Sequence, residues 1–122
     1  MVRWFSFGAT GALLIASILG LSFLTGSAEA TDGGKKDYQI EISQFTFGPK
    51  DISVKPGDTI TWINRDIAPH TATANNKSWS SPRMMQNESW TLAVTRDTYA
   101  QYFCKYHPAM KASISVAITI ED

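Results

Sequence analysis

Between Tyr38 and Ile120 apolar side chains recur at every second position in short runs, and no stretch carries a helical period over eleven or more residues. Tyr38-Gln39-Ile40-Glu41-Ile42-Ser43 alternates strictly, as a half-buried strand does. Ile60 and Trp62 share one face of the next run, and Trp90, Leu92 and Val94 alternate with Thr91, Ala93 and Thr95. Ile114, Val116, Ile118 and Ile120, set against Ser115, Ala117 and Thr119, form the cleanest pattern, and Thr98 to Phe103 reads as extended. Turn chemistry punctuates these runs at Gly48-Pro49, Lys55-Pro56-Gly57-Asp58 and Arg96-Asp97. In the second of these the proline presets one central residue and Gly57 takes the positive φ of the other. Roughly seven short strands separated by turns predict an all-β chain folded as an antiparallel β-sandwich.

The first 30 residues have a different character. Arg3 precedes an uncharged run from Phe7 to Leu24, and Ala28-Glu29-Ala30 has the small-x-small form of a signal peptidase site. The apolar run is long enough to serve as a membrane anchor, but the cleavage site and the polar stretch after it favour removal. Residues 1–30 are therefore expected to be a signal peptide, residues 31–37 a flexible leader and residues 38–122 a single domain. No Arg-Arg pair and no cysteine near residue 30 suggest a twin-arginine signal or a lipid anchor. Export then predicts no membrane association after cleavage, with the periplasm as the expected compartment. A formal net charge of zero gives no reason to expect nucleic acid as a partner.

An exported chain with a single cysteine cannot form an internal disulfide. Cys104 lies in Cys104-Lys105-Tyr106-His107-Pro108-Ala109-Met110, between two predicted strands, and the remaining histidine, His70, ends another strand-loop unit. Taken singly, each of these residues is more often core filler or a surface side chain. Together they are a thiolate, two imidazoles and a thioether, all at segment ends in a fold that gathers its loops at its ends. Thiolate and imidazole suit zinc or copper, whereas a thioether is a poor zinc ligand and a familiar weak axial ligand of copper. The predicted metal ligands are therefore His70, Cys104, His107 and Met110, around one copper ion.

These segments resemble the cupredoxins, the type 1 blue-copper proteins. The likeness rests on Cys104-x-x-His107-x-x-Met110 preceded by Tyr102-Phe103, on Trp62-x-Asn64-x-Asp66-x-x-Pro69-His70, and on the turn Lys55-Pro56-Gly57-Asp58. It covers residues 38 to 120, and the short steps and Pro108 are most similar to the amicyanin branch, with pseudoazurins and plastocyanins sharing part of the pattern. The resemblance implies an eight-stranded Greek-key β-sandwich with copper at one end. It implies His70, Cys104 and His107 as equatorial ligands, Met110 as the axial one, and the His107 ring edge as the electron port within an apolar patch of Pro69, Pro108 and Ala109. Thr71 stands where the family often has asparagine. Its amide is expected to reach the Cys104 sulfur, and its hydroxyl to replace part of the missing side-chain link. The interval from His70 to Cys104 is short for the family, which predicts a trimmed segment around Asn75-Asn76-Lys77.

The function expected is that of a soluble, exported, monomeric blue-copper electron carrier, shuttling single electrons to and from redox proteins that dock transiently near His107. A dehydrogenase, a cytochrome or an oxidase would each serve as such a partner. Arg83, Lys105 and Lys111 are candidates for a basic rim, and Met84 and Met85 are read as packing residues near the copper end. A periplasmic copper chaperone or storage protein is the alternative. A copper enzyme or a hydrolytic triad would need further histidines, and both present are already used.

Overall fold

A computed structural model describes residues 34–120. The predicted signal peptide lies outside the described residues. Eight strands follow one another: β1 (Asp37–Ser43), β2 (Thr46–Gly48), β3 (Asp51–Val54), β4 (Thr59–Asn64), β5 (Thr73–Ala74), β6 (Ser89–Ala93), β7 (Gln101–Phe103) and β8 (Lys111–Val116). They form two four-stranded sheets, ordered β2-β1-β4-β6 and β3-β8-β7-β5. Among the described residues no helix is long and apolar enough to cross a membrane.

The alternation seen in the sequence sets which side of each strand is covered. Ile40 and Ile42 of β1, Ile60 and Trp62 of β4, Tyr102 of β7 and Ile114 of β8 are all buried in one core cluster. Trp62 organises its centre. Its ring stacks on Trp90 at 5.7 Å, tilts against Trp79 at 5.6 Å and meets Tyr102 edge-on at 5.5 Å. Burial pushes the Tyr102 phenol above its usual range, so it stays neutral at any physiological pH.

Three expectations need correction. The sandwich is mixed rather than antiparallel, because β1 pairs with β4 and β3 with β8 in parallel. Periodicity reports which face of a strand is buried but not its direction. Both parallel pairs join strands separated in sequence by excursions into the other sheet. The C-terminal strand is also shorter than its pattern. β8 stops at Val116, where its partner β3 stops at Val54, and the amide of Ala117 makes the last bond, to the Val54 carbonyl at 2.7 Å. Beyond it Ile118 and Ile120 are exposed. Likewise β7 begins only at Gln101, since Thr98 is taken up in a turn closed on Thr95.

The predicted turn at Lys55-Pro56-Gly57-Asp58 is present, with Gly57 at φ 95°. Asp58 fastens this end of the molecule by accepting the amides of Lys36 at 3.0 Å and Lys55 at 2.8 Å. Those two backbone bonds hold its carboxyl below the usual carboxylate range. The opposite end gathers the turn between β1 and β2, the loop after β4 and the loop between β7 and β8, which are in mutual contact through Asp66, His70, Cys104 and His107.

Candidate metal centre

Cys104 follows directly on β7, and the loop after it is closed by its own backbone. The Cys104 amide donates to the Met110 carbonyl at 3.1 Å, and the Met110 amide donates to the His107 carbonyl at 2.9 Å. Three-residue steps allow this closure. The chain leaves one strand at Cys104, turns at His107-Pro108 and enters β8 just after Met110. Both Cys104 and Met110 are buried, and His107 is partly exposed.

His70 arrives from the other side of the site on a loop that the rest of the fold pins. Its backbone exchanges two hydrogen bonds with Met84, at 3.1 and 2.9 Å. The buried Asn64 side chain donates to the carbonyls of Ala68 at 2.9 Å and Met84 at 3.0 Å, and its oxygen accepts the Asp66 amide at 2.9 Å. Asp66 Oδ2 lies 2.8 Å from Nε2 of His70. A proton shared there leaves the Nδ1 lone pair of His70 facing the site. Partial desolvation works against ionisation of Asp66, but its bonds with the Phe45 amide, His70 and the Gln44 amide outweigh that and keep its carboxyl below the usual range.

Three donor atoms converge. Cys104 Sγ lies 3.6 Å from His70 Nδ1 and 3.8 Å from His107 Nδ1, and the two nitrogens are 3.2 Å apart. With metal–imidazole bonds of about 2.0–2.1 Å and a metal–thiolate bond of about 2.3 Å, a trigonal arrangement separates the nitrogens by about 3.5 Å and each nitrogen from sulfur by about 3.8 Å. The triangle in the protein has that size and shape, so the donors fit one ion without rearrangement. His70 and Cys104 are fully buried, which leaves the half-buried His107 as the donor nearest to solvent.

Thr71 makes both contacts expected of it. Its amide points at Cys104 Sγ from 3.4 Å, and its hydroxyl accepts the Lys105 amide at 3.0 Å. The segment expected to be trimmed, Asn75-Asn76-Lys77, follows the two-residue β5 as a tight turn, in which the Lys77 amide bonds to the Ala74 carbonyl at 2.9 Å. Met84 is a core residue whereas Met85 is exposed, and Arg83, Lys105 and Lys111 all reach solvent.

Some residues of the site were not singled out from the sequence. In the sequence Asp66 and Asn64 stand only within the motif that leads to His70. Phe45, two residues beyond β1, packs its ring edge-on against His70 at 5.2 Å and His107 at 4.8 Å. Ile67 and Tyr106 are exposed on the loops that carry the donors, and Phe45 on the neighbouring β1–β2 turn, so apolar surface here extends beyond Pro69, Pro108 and Ala109. The signal for Asp66 was its position, four residues before His70, across which no secondary structure intervenes.

Comparison with known proteins points the same way. The model of the copper-binding proteins of the plastocyanin/azurin family matches residues 35–117. Amicyanin from Paracoccus denitrificans is 29% identical over 116 residues, covering 91% of this chain and 86% of the relative. Among solved structures, a variant of amicyanin in its Cu(I) form superposes with a TM-score of 0.61 at 27% identity, covering 71% of this chain and 88% of that one. A copper-containing nitrite reductase from Thermus scotoductus SA-01 also superposes, with a TM-score of 0.61 at 20% identity. The match covers 69% of this chain but only 23% of the reductase, and it speaks to the fold alone.

Proposed function

The chain belongs to the plastocyanin/azurin family of copper-binding proteins, and we propose that His70, Cys104 and His107, with Met110 as axial ligand, hold its copper. The protein is a blue-copper electron-transfer protein of the cupredoxin fold, related to amicyanin. The observation that carries the ligand assignment is the buried triangle of one sulfur and two ring nitrogens, 3.2 to 3.8 Å on a side.

A bound copper ion supplies a one-electron Cu(I)/Cu(II) couple. The chain's own part is to keep its donors still. Asp66 fixes the ring of His70 through Nε2, and the Thr71 amide directs a dipole at the Cys104 sulfur. Thr71 Oγ1 ties the Lys105 amide, one residue beyond Cys104, to the loop of His70. Donors that do not move between oxidation states keep the reorganisation cost of electron transfer low. His107, the partly exposed donor, is the port through which a redox partner would exchange the electron, with Phe45, Pro108 and Ala109 around it.

We further place the mature protein, residues 31–122, in the periplasm as a monomer. Its partners there are redox proteins, with a dehydrogenase, a cytochrome or an oxidase as the candidate classes. A copper chaperone or storage role is less well supported, because delivery requires release and two of the donors are wholly buried. Titration of the purified protein with Cu(II), followed by visible absorption, tests the assignment. An intense red-light band that saturates at about one copper per chain is expected of a copper–thiolate bond. Cys104→Ala should lose that band while the sandwich stays folded, and a band that survives the substitution would overturn the assignment.

A further inference from the structure

The turn between β1 and β2 is built against its own sequence. Ser43 pairs with Thr46, so the hairpin turns on two residues, Gln44 and Phe45. Both adopt left-handed backbone conformations, with φ of 51° and 57°. Two-residue turns of this kind select asparagine and glycine, because a Cβ crowds the backbone at positive φ. A bulky aromatic at such a position calls for an explanation from function.

One carboxylate holds the turn in place. Asp66 Oδ1 accepts the Gln44 amide at 2.7 Å, and Oδ2 accepts the Phe45 amide at 2.9 Å. The same Oδ2 lies 2.8 Å from Nε2 of His70. The ring so positioned meets both imidazoles edge-on, at interplanar angles of 87° and 85°, while about half of the residue faces solvent.

We propose that Phe45 is a lid over the two imidazoles that excludes small ligands from the metal, and that Asp66 is the positioning residue that locks the lid and His70 together. This rests on His70 and His107 being copper ligands. A carrier needs no open coordination position, and a small anion reaching the ion would add a ligand to one oxidation state and slow the exchange of electrons. The ring lies against both imidazoles and is itself half exposed. The carboxylate makes its placement depend on the same group that orients His70, so loss of Asp66 releases both at once.

Two measurements on the full protein test this. In the first, azide is titrated into the Cu(II)-loaded wild type, Phe45→Gly, Asp66→Ala and the double variant, with the visible spectrum as readout. Phe45→Gly suits the turn better, so it is expected to be no less resistant to urea, and yet to bind azide at least about tenfold more tightly. Asp66→Ala should gain at least as much, since it also frees His70, and the double variant should gain no more than Asp66→Ala alone, since the lid is already released there. Azide binding unchanged in Phe45→Gly, or full additivity in the double variant, would overturn the proposal. The second measurement uses copper-free protein and ¹⁵N NMR of the imidazoles. The Nε2 proton of His70 should exchange slowly in the wild type and in Phe45→Gly but rapidly in Asp66→Ala, which removes the acceptor. Slow exchange in Asp66→Ala would remove Asp66 from its role. If the wild type gives no blue band, the ligand assignment fails, and the NMR result still reports separately on the clamp.

Discussion

The hydroxyl of Thr71 accepts the backbone amide of Lys105 at 3.0 Å, joining the segment after His70 to the segment after Cys104 across 34 positions of sequence. The same hydroxyl contacts Thr73 Oγ1 at 3.0 Å, and the Thr71 amide reaches the Cys104 sulfur. One short side chain thus spans the two loops that bring the donors together. Thr71→Val keeps the shape and deletes the oxygen. It should destabilise the fold by about 1–3 kcal/mol, because the Lys105 amide and the Thr73 hydroxyl lose a partner in a desolvated setting. The blue band should persist with a shifted maximum. Urea denaturation together with the spectrum checks both.

Asn64 carries a second set of links. It is fully buried and uses its side chain for three bonds, to the Ala68 and Met84 carbonyls and from the Asp66 amide. Asn64→Ala should cost about 2–4 kcal/mol, since it strands several buried backbone groups at once. The loop from Arg65 to His70 is what loosens, so copper affinity should fall along with the urea midpoint. A midpoint shift below about 1 kcal/mol would show that these bonds are replaced by others.

Met110 separates metal retention from tuning. With the three close donors untouched, Met110→Leu should still take up one copper per chain. Its reduction potential should differ from that of the wild type if Met110 is axial as proposed, because a weak axial sulfur acts mainly on the relative stability of the two oxidation states. Cyclic voltammetry of the two proteins decides the matter, and equal potentials would remove Met110 from the axial position.

Asp58 predicts an acid-dependent term far from the copper end. Its carboxyl sits below the usual carboxylate range because the Lys36 and Lys55 amides bond to it when folded. The folded form therefore favours the ionised group. Its stabilisation is fully present above the unfolded pKa of about 3.9 and is lost as pH falls through the lower folded value. Asp58→Asn should melt below the wild type at neutral pH, and the gap should narrow as the solution is acidified through that window. Calorimetry at a series of pH values measures it, and a gap independent of pH would show that ionisation at Asp58 is not coupled to folding.

The Cys104-to-Met110 spacing, the motif around His70 and the strict alternation of β1 and β4 were legible because each is a local property of the chain. Periodicity of two fixes which side chains face a core, and ligand types fix which metals they suit. The folded structure alone settled what depends on partners distant in sequence. β8 ends at Val116 because β3 supplies no further backbone to pair with, although the apolar pattern runs on to Ile120. The parallel pairing of β1 with β4 follows from how the chain crosses between sheets, which no alternation encodes. Asp66 and Phe45 are 21 positions apart, and nothing in the sequence pairs them. They meet because each lies two residues beyond the end of a strand, Phe45 after β1 and Asp66 after β4, and these strands run side by side in parallel. The donor set is thus written in residue types and intervals. The shell that orients it is decided by tertiary contact, because a hydrogen bond or an edge-on ring contact depends on distance in space and leaves no period in the chain.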